Sequence, residues 1–253
     1  MLTEAQISTY HEKGFVTPDY RIPADTVTDI ADLHDRLLKK HPDFYNYCPS
    51  LLAYDLGFLN FARIPALLDM VSQVIGPDFA LWNSSFFAKP ANGGHETPWH
   101  QDGEYWPIQP LATCTVWIAV DAATQENGCL EVIPGSHTTQ RLRKHNTNPS
   151  DKVTLNQELD PSEFNRDQAE YIELEPGQVS LHDVYLVHGS QANNSNVPRR
   201  GMTLRFMPTT SVYDRELAKQ KAEEYGLVNH SDRTLFLMRG VDKSGNNDFS
   251  MKM

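Results

Sequence analysis

From residue 79 onward, short segments rich in aromatic and β-branched residues alternate with turn signals, and this pattern constrains the fold more than any other feature of the chain. The segments span residues 79–89, 113–121, 129–133, 169–174, 178–188 and 201–208. Glu126-Asn127-Gly128 and Glu175-Pro176-Gly177 supply turns between neighbouring segments. This succession predicts a mainly β core, for which a cupin-like double-stranded β-helix, or jelly roll, fits as well as other barrels do.

The segments before and after the β-rich region have helical patterns. Residues 3–14 place Thr3 and Gln6 at the spacing of a capping box, and Gly14 closes the segment. Further helices are predicted over residues 23–40, 64–75 and 213–225. We therefore expect one domain over residues 1–253, with a mainly helical flank at 1–78, a β core at 79–210, and a C-terminal helix and tail at 211–253.

Net charge and cysteine content argue against several classes of protein. The formal net charge of −11 disfavours broad binding of nucleic acid or of anionic membranes. Cys48, Cys114 and Cys129 are odd in number and form no Cys-x-x-Cys pair, which disfavours a disulfide framework or a structural zinc site. The polar N-terminus lacks a secretory signal, and no apolar run reaches membrane-spanning length, so we expect a cytoplasmic protein. The sequence leaves the oligomeric state open.

Two histidines and one carboxylate form the strongest candidate for a metal site. His100 and Asp102 are two positions apart, so a strand would point both side chains to the same face. With His188 they complete the ligand set of non-heme Fe(II) oxygenases, which leaves three coordination positions open. His182 competes as the third ligand, because it shares the strand parity of His188. Histidines of the helical and tail segments are expected to be exposed to solvent: His11, His34, His41 and His230.

An arginine follows the second histidine of this set by eleven positions. Arg199 offers a planar guanidinium suited to gripping a carboxylate in two hydrogen bonds. Arg200 is adjacent and is the alternative, since one member of the pair is expected to face solvent.

Four segments, WHQDGEYWPI, LATCTVWIAVD, ENGCLEVIPGSH and VHGSQANNSNVPRR, together resemble the phytanoyl-CoA dioxygenase-like family of Fe(II)/2-oxoglutarate-dependent oxygenases. The resemblance implies that the iron ligands are His100, Asp102 and His188. It implies that 2-oxoglutarate is bound by Arg199, Ser190, Asn83 and Trp117. The last three also have ordinary structural interpretations, as a turn hydroxyl, a polar residue at the start of a strand and an aromatic residue of the core.

The resemblance also implies an oxidoreductase that uses Fe(II), 2-oxoglutarate and O2, with ascorbate as an activator. It would hydroxylate an unactivated C–H bond and release succinate and CO2. Asp102 favours hydroxylation over halogenation, which needs a small residue at that position. Two alternatives from other classes are a non-catalytic, cupin-like protein that binds metal and 2-oxoglutarate, and a zinc hydrolase with the same three ligands.

The substrate is less well specified by the sequence than the chemistry. Residues expected near the iron and the substrate are Glu104, Tyr105, Trp106, Ser85, Phe87 and Arg205. The chain is similar in size to short bacterial members that hydroxylate 2-aminoethylphosphonate at C1, so that phosphonate is the substrate we favour. Another small zwitterion, a biosynthetic intermediate or an acyl-CoA remains an alternative. Residues 138–168 or the C-terminal tail are candidates for a lid.

Overall fold

The computed structural model describes residues 1–225 and 229–252 of the chain. Its α-helices are α1 (Glu4–Lys13), α2 (Ala24–Lys40), α3 (Leu51–Tyr54), α4 (Leu59–Ala62), α5 (Pro65–Ile75) and α6 (Arg215–Tyr225). Short 3₁₀ turns span Pro42–Tyr45, Leu56–Phe58, Asp102–Tyr105, Pro161–Glu163 and Arg166–Gln168.

The β-strands fall into two sets that make up the two main sheets of the molecule, together with two small two-stranded sheets. The first set contains β1 (Phe15–Val16), β2 (Tyr47–Cys48), β3 (Phe79–Lys89), β6 (Cys114–Ala119), β11 (Val179–Asp183), β13 (Arg199–Pro208) and β15 (Phe236–Arg239). The second set contains β4 (Thr97–His100), β7 (Leu130–Val132), β10 (Glu170–Ile172) and β12 (His188–Ser190). The small pairs are made by β5 (Ile108–Gln109) with β14 (Val212–Tyr213) and by β8 (His145–Thr147) with β9 (Gln157–Leu159).

The two main sheets are antiparallel and face each other. The larger has the order β1-β11-β6-β13-β3-β15, with β2 also paired to β3, and the smaller has the order β10-β7-β12-β4. Trp117 and Ala119 of the larger sheet pack with Val132 and Ile172 of the smaller one in a shared apolar cluster. The predicted jelly-roll core is therefore the observed architecture.

The flanking helices cover the outer face of the larger sheet. Ile30, Leu33 and Leu37 of α2 are buried in the main apolar cluster together with residues of α5, β3 and β13. The capping box predicted for α1 is present, because Thr3 Oγ1 accepts from the Gln6 amide at 3.2 Å and Gln6 Oε1 accepts from the Thr3 amide at 2.9 Å. Gly14 ends α1 in the left-handed conformation, with φ of 84°.

The prediction of one continuous strand over residues 178–188 is wrong, because a turn divides it. Asp183 makes this turn by accepting the Tyr185 amide on Oδ1 at 2.8 Å and the Leu186 amide on its carbonyl at 3.1 Å. His182 therefore lies on β11 in the larger sheet, and His188 opens β12 in the smaller sheet. Sharing a strand is thus not what brings the two histidines to one cavity.

Two other expectations need correction. His34 was expected to be exposed, but it is fully buried in α2, where its ring stacks on Phe86 at a centroid distance of 3.8 Å. The region 211–253 is more than a helix and a tail, since β15 adds a strand to the larger sheet by pairing with β3.

Within residues 1–225 and 229–252, no single helix is long and apolar enough to cross a membrane. The bent pair Leu56–Ala62 and Pro65–Ile75, with 67° between its halves, meets the length and composition criteria only when both halves are taken together.

Candidate metal centre and adjoining cavities

Three side chains from the smaller sheet and the turn after it meet at one point. His100 is the last residue of β4, Asp102 begins the 3₁₀ turn that follows, and His188 begins β12. His100 and His188 are directly opposite each other in the antiparallel pairing of β4 with β12. One ligand atom from each of the three residues lies within 4.8 Å of the others, and all three residues are buried. This spacing suits a single bound cation.

Hydrogen bonds orient both imidazoles towards that point. Nδ1 of His100 lies 2.8 Å from the Pro98 carbonyl oxygen, and Nδ1 of His188 lies 2.9 Å from the Leu186 carbonyl oxygen. A carbonyl only accepts, so in the neutral form of each ring Nδ1 carries the proton and Nε2 keeps a free lone pair. Such outer contacts are the usual way in which proteins fix the tautomer of a metal-binding histidine.

The protonation states also suit a metal. Burial, followed by the proximity of His100, lowers the pKa of His188 well below its ordinary value. Burial would raise the pKa of Asp102, but Arg205 outweighs that effect with help from His100 and His182, so the pKa lies well below its usual range. The site therefore offers an ionised carboxylate and a neutral His188 imidazole at neutral pH.

His182 lies close to this group as a neighbour of the carboxylate. Its Nε2 is 3.5 Å from Asp102 Oδ2, and its ring centroid is 4.9 Å from that of His188. Thr115 also donates to Asp102 Oδ2, at 3.2 Å. His182 and Thr115 therefore approach the carboxylate oxygen from the side of the larger sheet, while His100 and His188 approach from the smaller sheet.

A buried guanidinium shares the cavity of the three candidate ligands. Arg199, 2% exposed, lies on β13 in the larger sheet and lines the same cavity as His100, Asp102 and His188. Its Nε and Nη2 donate to the Gly128 carbonyl at 3.1 and 2.6 Å, and Nη1 donates to the Phe87 carbonyl at 3.3 Å. Burial lowers its pKa to about 10, so the group stays protonated at neutral pH. No carboxylate among the described residues forms an ion pair with it.

Arg200, the alternative, points the other way. Its Nε lies 2.9 Å from Asp121 Oδ2, and its Nη1 lies 3.1 Å from Asp35 Oδ1. Its charge is therefore already balanced outside the cavity.

Ser190 and Trp117 both contact the Arg199 side chain. Ser190 Oγ accepts from Nη2 at 3.3 Å, and the guanidinium lies 5.5 Å from the Trp117 ring centroid. Both residues line the cavity. Trp117 packs so closely on Gly201 that a Cβ there would lie 2.0 Å from the indole ring, so only glycine leaves room for this ring position.

Three of the other candidate residues line a second, larger cavity of about 410 Å³. Asn83, Trp106 and Arg205 line the larger cavity, and Arg205 also lines the smaller one together with Phe87. Ser85 stands behind them and accepts from Arg205 Nη1 at 2.7 Å. Asn83 was expected to contact 2-oxoglutarate, but its side chain faces the larger cavity rather than the one that holds Arg199.

Glu104 does not line either cavity. Its Oε2 lies 3.4 Å from His145 Nδ1, and its carbonyl accepts from Lys221 Nζ at 3.0 Å. Tyr105 closes the turn Asp102–Tyr105, and its side chain lies outside the described part of the structure. Residues 153–157, within the candidate lid 138–168, form one wall of the larger cavity.

Sequence reasoning missed two groups of residues near these cavities. Lys89 is buried and donates from Nζ to the carbonyls of His95, Ser190 and Gln191, which fixes the chain after His188. His230, which was expected to be exposed to solvent, is half-buried, and it lines the larger cavity together with Arg233 from the segment before β15. No motif marks this segment, and only the pairing of Phe236 with Leu81 brings it beside β3.

Most of this chain matches one known protein family. Residues 24–201 match the family model described as Phytanoyl-CoA dioxygenase (PhyH). The chain belongs to the phytanoyl-CoA dioxygenase family. The matched range includes both histidines and the carboxylate of the candidate metal centre, as well as Arg199.

Two curated relatives and one solved structure illustrate the likeness. A phytanoyl-CoA dioxygenase domain-containing protein 1 of Danio rerio is 33% identical over 190 residues, which cover 69% of this chain and 61% of that protein. A probable alpha-ketoglutarate-dependent hypophosphite dioxygenase of Stutzerimonas stutzeri is 27% identical over 153 residues, covering 58% and 51%. EvdO2 of Micromonospora carbonacea var. aurantiaca, solved with 2-oxoglutarate, is 21% identical with a TM-score of 0.68, covering 82% and 91%. The chain therefore spans less than two thirds of the length of these curated relatives.

Proposed function

We propose that this protein is an Fe(II)- and 2-oxoglutarate-dependent dioxygenase that hydroxylates an unactivated C–H bond of a small polar metabolite. The observation that carries the proposal is the pairing of two features in one cavity. One feature is a buried group of two histidines and a carboxylate with ligand atoms within 4.8 Å of one another. The other is the buried, protonated guanidinium of Arg199, which has neutral acceptors around it.

His100, Asp102 and His188 would hold the metal. Oxygen and imidazole donors without thiolate favour Fe(II) or Mn(II) over softer ions, and three protein ligands leave positions open for other molecules. The fit is supported by the orientation of both imidazoles, by the lowered pKa of Asp102, and by Thr115, which donates to the carboxylate at 3.2 Å. Bound iron, together with 2-oxoglutarate and O2, supplies the oxidising chemistry that inserts one oxygen atom into the C–H bond and the other into succinate, with release of CO2.

The protein's own residues position the two organic molecules. Arg199 would pair with the carboxylate of 2-oxoglutarate that lies farther from the metal, and Ser190 would add a hydrogen bond to the same group. Trp117 would cover one face of the co-substrate and keep water away from it. The larger cavity, which also reaches His100 and Asp102, leaves room of about 410 Å³ for the molecule that is oxidised.

The substrate that we propose is 2-aminoethylphosphonate, hydroxylated at C1. The proposal is supported by Arg205, which lines the larger cavity beside Asp102, and by the similarity to the hypophosphite dioxygenase of Stutzerimonas stutzeri, whose substrate is a phosphorus oxyanion. The alternative substrates are another small zwitterion or a biosynthetic intermediate, and the same chemistry would oxidise either of them. We place the reaction in the cytoplasm, a reducing compartment, because Cys48, Cys114 and Cys129 are all buried and free.

The proposal is tested by measuring succinate formation under air with Fe(II), ascorbate and 2-oxoglutarate, with and without 2-aminoethylphosphonate. We expect succinate formation to increase strongly with the phosphonate, and a product heavier by one oxygen atom. Slow background formation of succinate, with no increase on adding the phosphonate, would exclude 2-aminoethylphosphonate as the substrate. It would still support the reaction class. The protein could instead bind Fe(II) and 2-oxoglutarate but form no succinate with any metabolite in a wider panel of small zwitterions. That result would indicate a non-catalytic binding protein.

A further inference from the structure

The larger cavity carries positive charge that no described residue of its wall neutralises. Arg205 and Arg233 both line it, and the only carboxylate among its described lining residues is Asp102. That carboxylate lies 3.7 Å from Arg205 Nη2 and belongs to the candidate metal centre. Arg233 forms no ion pair with a carboxylate in residues 1–225 and 229–252. One guanidinium is therefore left without a counter-ion in a partly buried cavity, which is costly unless an anion binds there.

Neutral groups hold Arg233 in a fixed position. Its Nε donates to His230 Nδ1 at 2.9 Å, its Nη1 donates to Asn83 Oδ1, and its guanidinium lies 5.6 Å from the Trp82 ring. Burial, with Arg233 and Arg205 nearby, lowers the pKa of His230 to about 3, so this imidazole accepts a hydrogen bond and adds no charge. These contacts orient the guanidinium and leave its charge in place.

Hydrogen bonds connect the two arginines along one wall. Arg205 Nη1 donates to Ser85 Oγ at 2.7 Å, Asn83 Nδ2 donates to the same oxygen at 3.3 Å, and Asn83 in turn accepts from Arg233. Asn83 and Arg205 are directly opposite each other in the pairing of β3 with β13. Both cations are thus held on the side of the larger sheet.

The rest of the wall is aromatic. Trp82 and Trp106 pack edge to face at a centroid distance of 4.6 Å, and the Arg205 guanidinium lies 5.2 Å from the Trp106 ring. Packed against the Trp106 ring, Arg205 has few rotamers available, so binding an anion costs it little side-chain entropy.

We propose that Arg205 and Arg233 together bind an anionic group of the oxidised substrate, which is therefore a small phosphonate, phosphate monoester or carboxylate. This inference rests on the proposed function, because it assigns the larger cavity to the substrate of that reaction. It adds that the anionic end is recognised by charge. Asp102 is the only carboxylate among the described lining residues that could balance an ammonium group.

The test is isothermal calorimetry without O2 on protein loaded with Fe(II) and 2-oxoglutarate. The probes are ethylphosphonate, ethyl phosphate, propionate and the neutral propionamide. Together they distinguish binding of a phosphonate, a phosphate monoester and a carboxylate from binding of an uncharged molecule. The variants are Arg233→Gln, Arg233→Lys, and Arg239→Gln as a matched control. Arg239 lies six residues further along the same segment, and its Nη2 is paired with Asp69 Oδ1 at 2.7 Å away from the cavity. The affinity for 2-oxoglutarate is measured in every preparation.

We expect at least one anion to bind the wild type and propionamide not to bind. Arg233→Gln should weaken the binding of the anion by about tenfold or more, since the substitution removes a charged hydrogen-bond donor. Arg233→Lys should bind the anion more tightly than Arg233→Gln does. Arg239→Gln should bind the anion with wild-type affinity, and the affinity for 2-oxoglutarate should be the same in every variant. Equal binding of propionamide and propionate, wild-type affinity in Arg233→Gln, or no anion bound to protein that holds 2-oxoglutarate would overturn the inference alone. A wild type that does not bind 2-oxoglutarate would overturn the proposed function.

Discussion

At the scale of single residues, the environment of a charge decides what two neighbouring arginines can do. Arg200 has two carboxylate partners, Asp121 at 2.9 Å and Asp35 of α2 at 3.1 Å, and it links these two groups outside the cavity. Arg199 has only neutral acceptors and lies inside the cavity of the candidate metal centre. A protonated group kept in such surroundings gains from an incoming carboxylate, because the anion replaces water that burial has removed.

Replacing each arginine by alanine tests this difference. We expect Arg199→Ala to raise the KM for 2-oxoglutarate by about tenfold to a hundredfold, because a charged hydrogen bond is lost. Arg200→Ala should leave that KM nearly unchanged, since its charge is balanced elsewhere. Steady-state succinate assays over a range of 2-oxoglutarate concentrations measure both, with Arg199→Lys as a variant that keeps the charge. Equal effects of the two alanine variants would contradict the assignment of Arg199.

At the scale of secondary-structure elements, α2 is joined to the larger sheet by an unusual contact. The neutral ring of His34 stacks on Phe86 of β3 at 3.8 Å, with 10° between the ring planes, and neither ring nitrogen has a hydrogen-bond partner among the described residues. Burial, with Arg200 adding to it, lowers the pKa of His34 from 6.5 to about 4. Protonation of His34 therefore opposes the packing of this helix.

The stability of the fold should depend on pH through this histidine. Because the unfolded chain binds the proton more readily, the free energy of unfolding is highest above pH 6.5, falls as the pH drops towards 4, and loses the whole contribution below that value. At pH 5 the loss amounts to about 2 kcal/mol. Urea unfolding at pH 7.5 and 5.0 measures it, and His34→Phe should lose about that much less stability than the wild type. An identical loss in both proteins would contradict the account.

Elements with a local signal could be predicted from the sequence, and those held only by distant contacts could not. The capping box of Thr3 and Gln6 and the long β3 strand follow from nearby residues, and both are observed. The break between His182 and His188 depends on a side-chain turn at Asp183 inside an apolar run, which periodicity does not show. Arg233 reaches its cavity only because Phe236 pairs with Leu81, some 155 positions earlier in the chain, and no local pattern encodes that register.

At the scale of the whole molecule, the two sheets supply different side chains to the candidate site. The smaller sheet supplies His100 and His188, and the larger supplies Arg199, Arg205 and Trp117 from the opposite side. The cavities therefore lie between two rigid layers, which suits a site that must hold several molecules in fixed relation. The family match over residues 24–201 agrees with this arrangement, since that range contains β4 and β12 of the smaller sheet and Arg199 of the larger sheet.

The central claim is that His100, Asp102 and His188 bind one Fe(II) ion, and anaerobic Fe(II) binding tests it most directly. We expect the wild type to bind one equivalent of Fe(II). Alanine at any of the three positions should remove that binding and all succinate formation, while the circular dichroism spectrum stays native. His182→Gln, which changes the competing histidine, should still bind one equivalent. Wild-type Fe(II) binding in His188→Ala, together with its loss in His182→Gln, would contradict the claim and make His182 the third ligand.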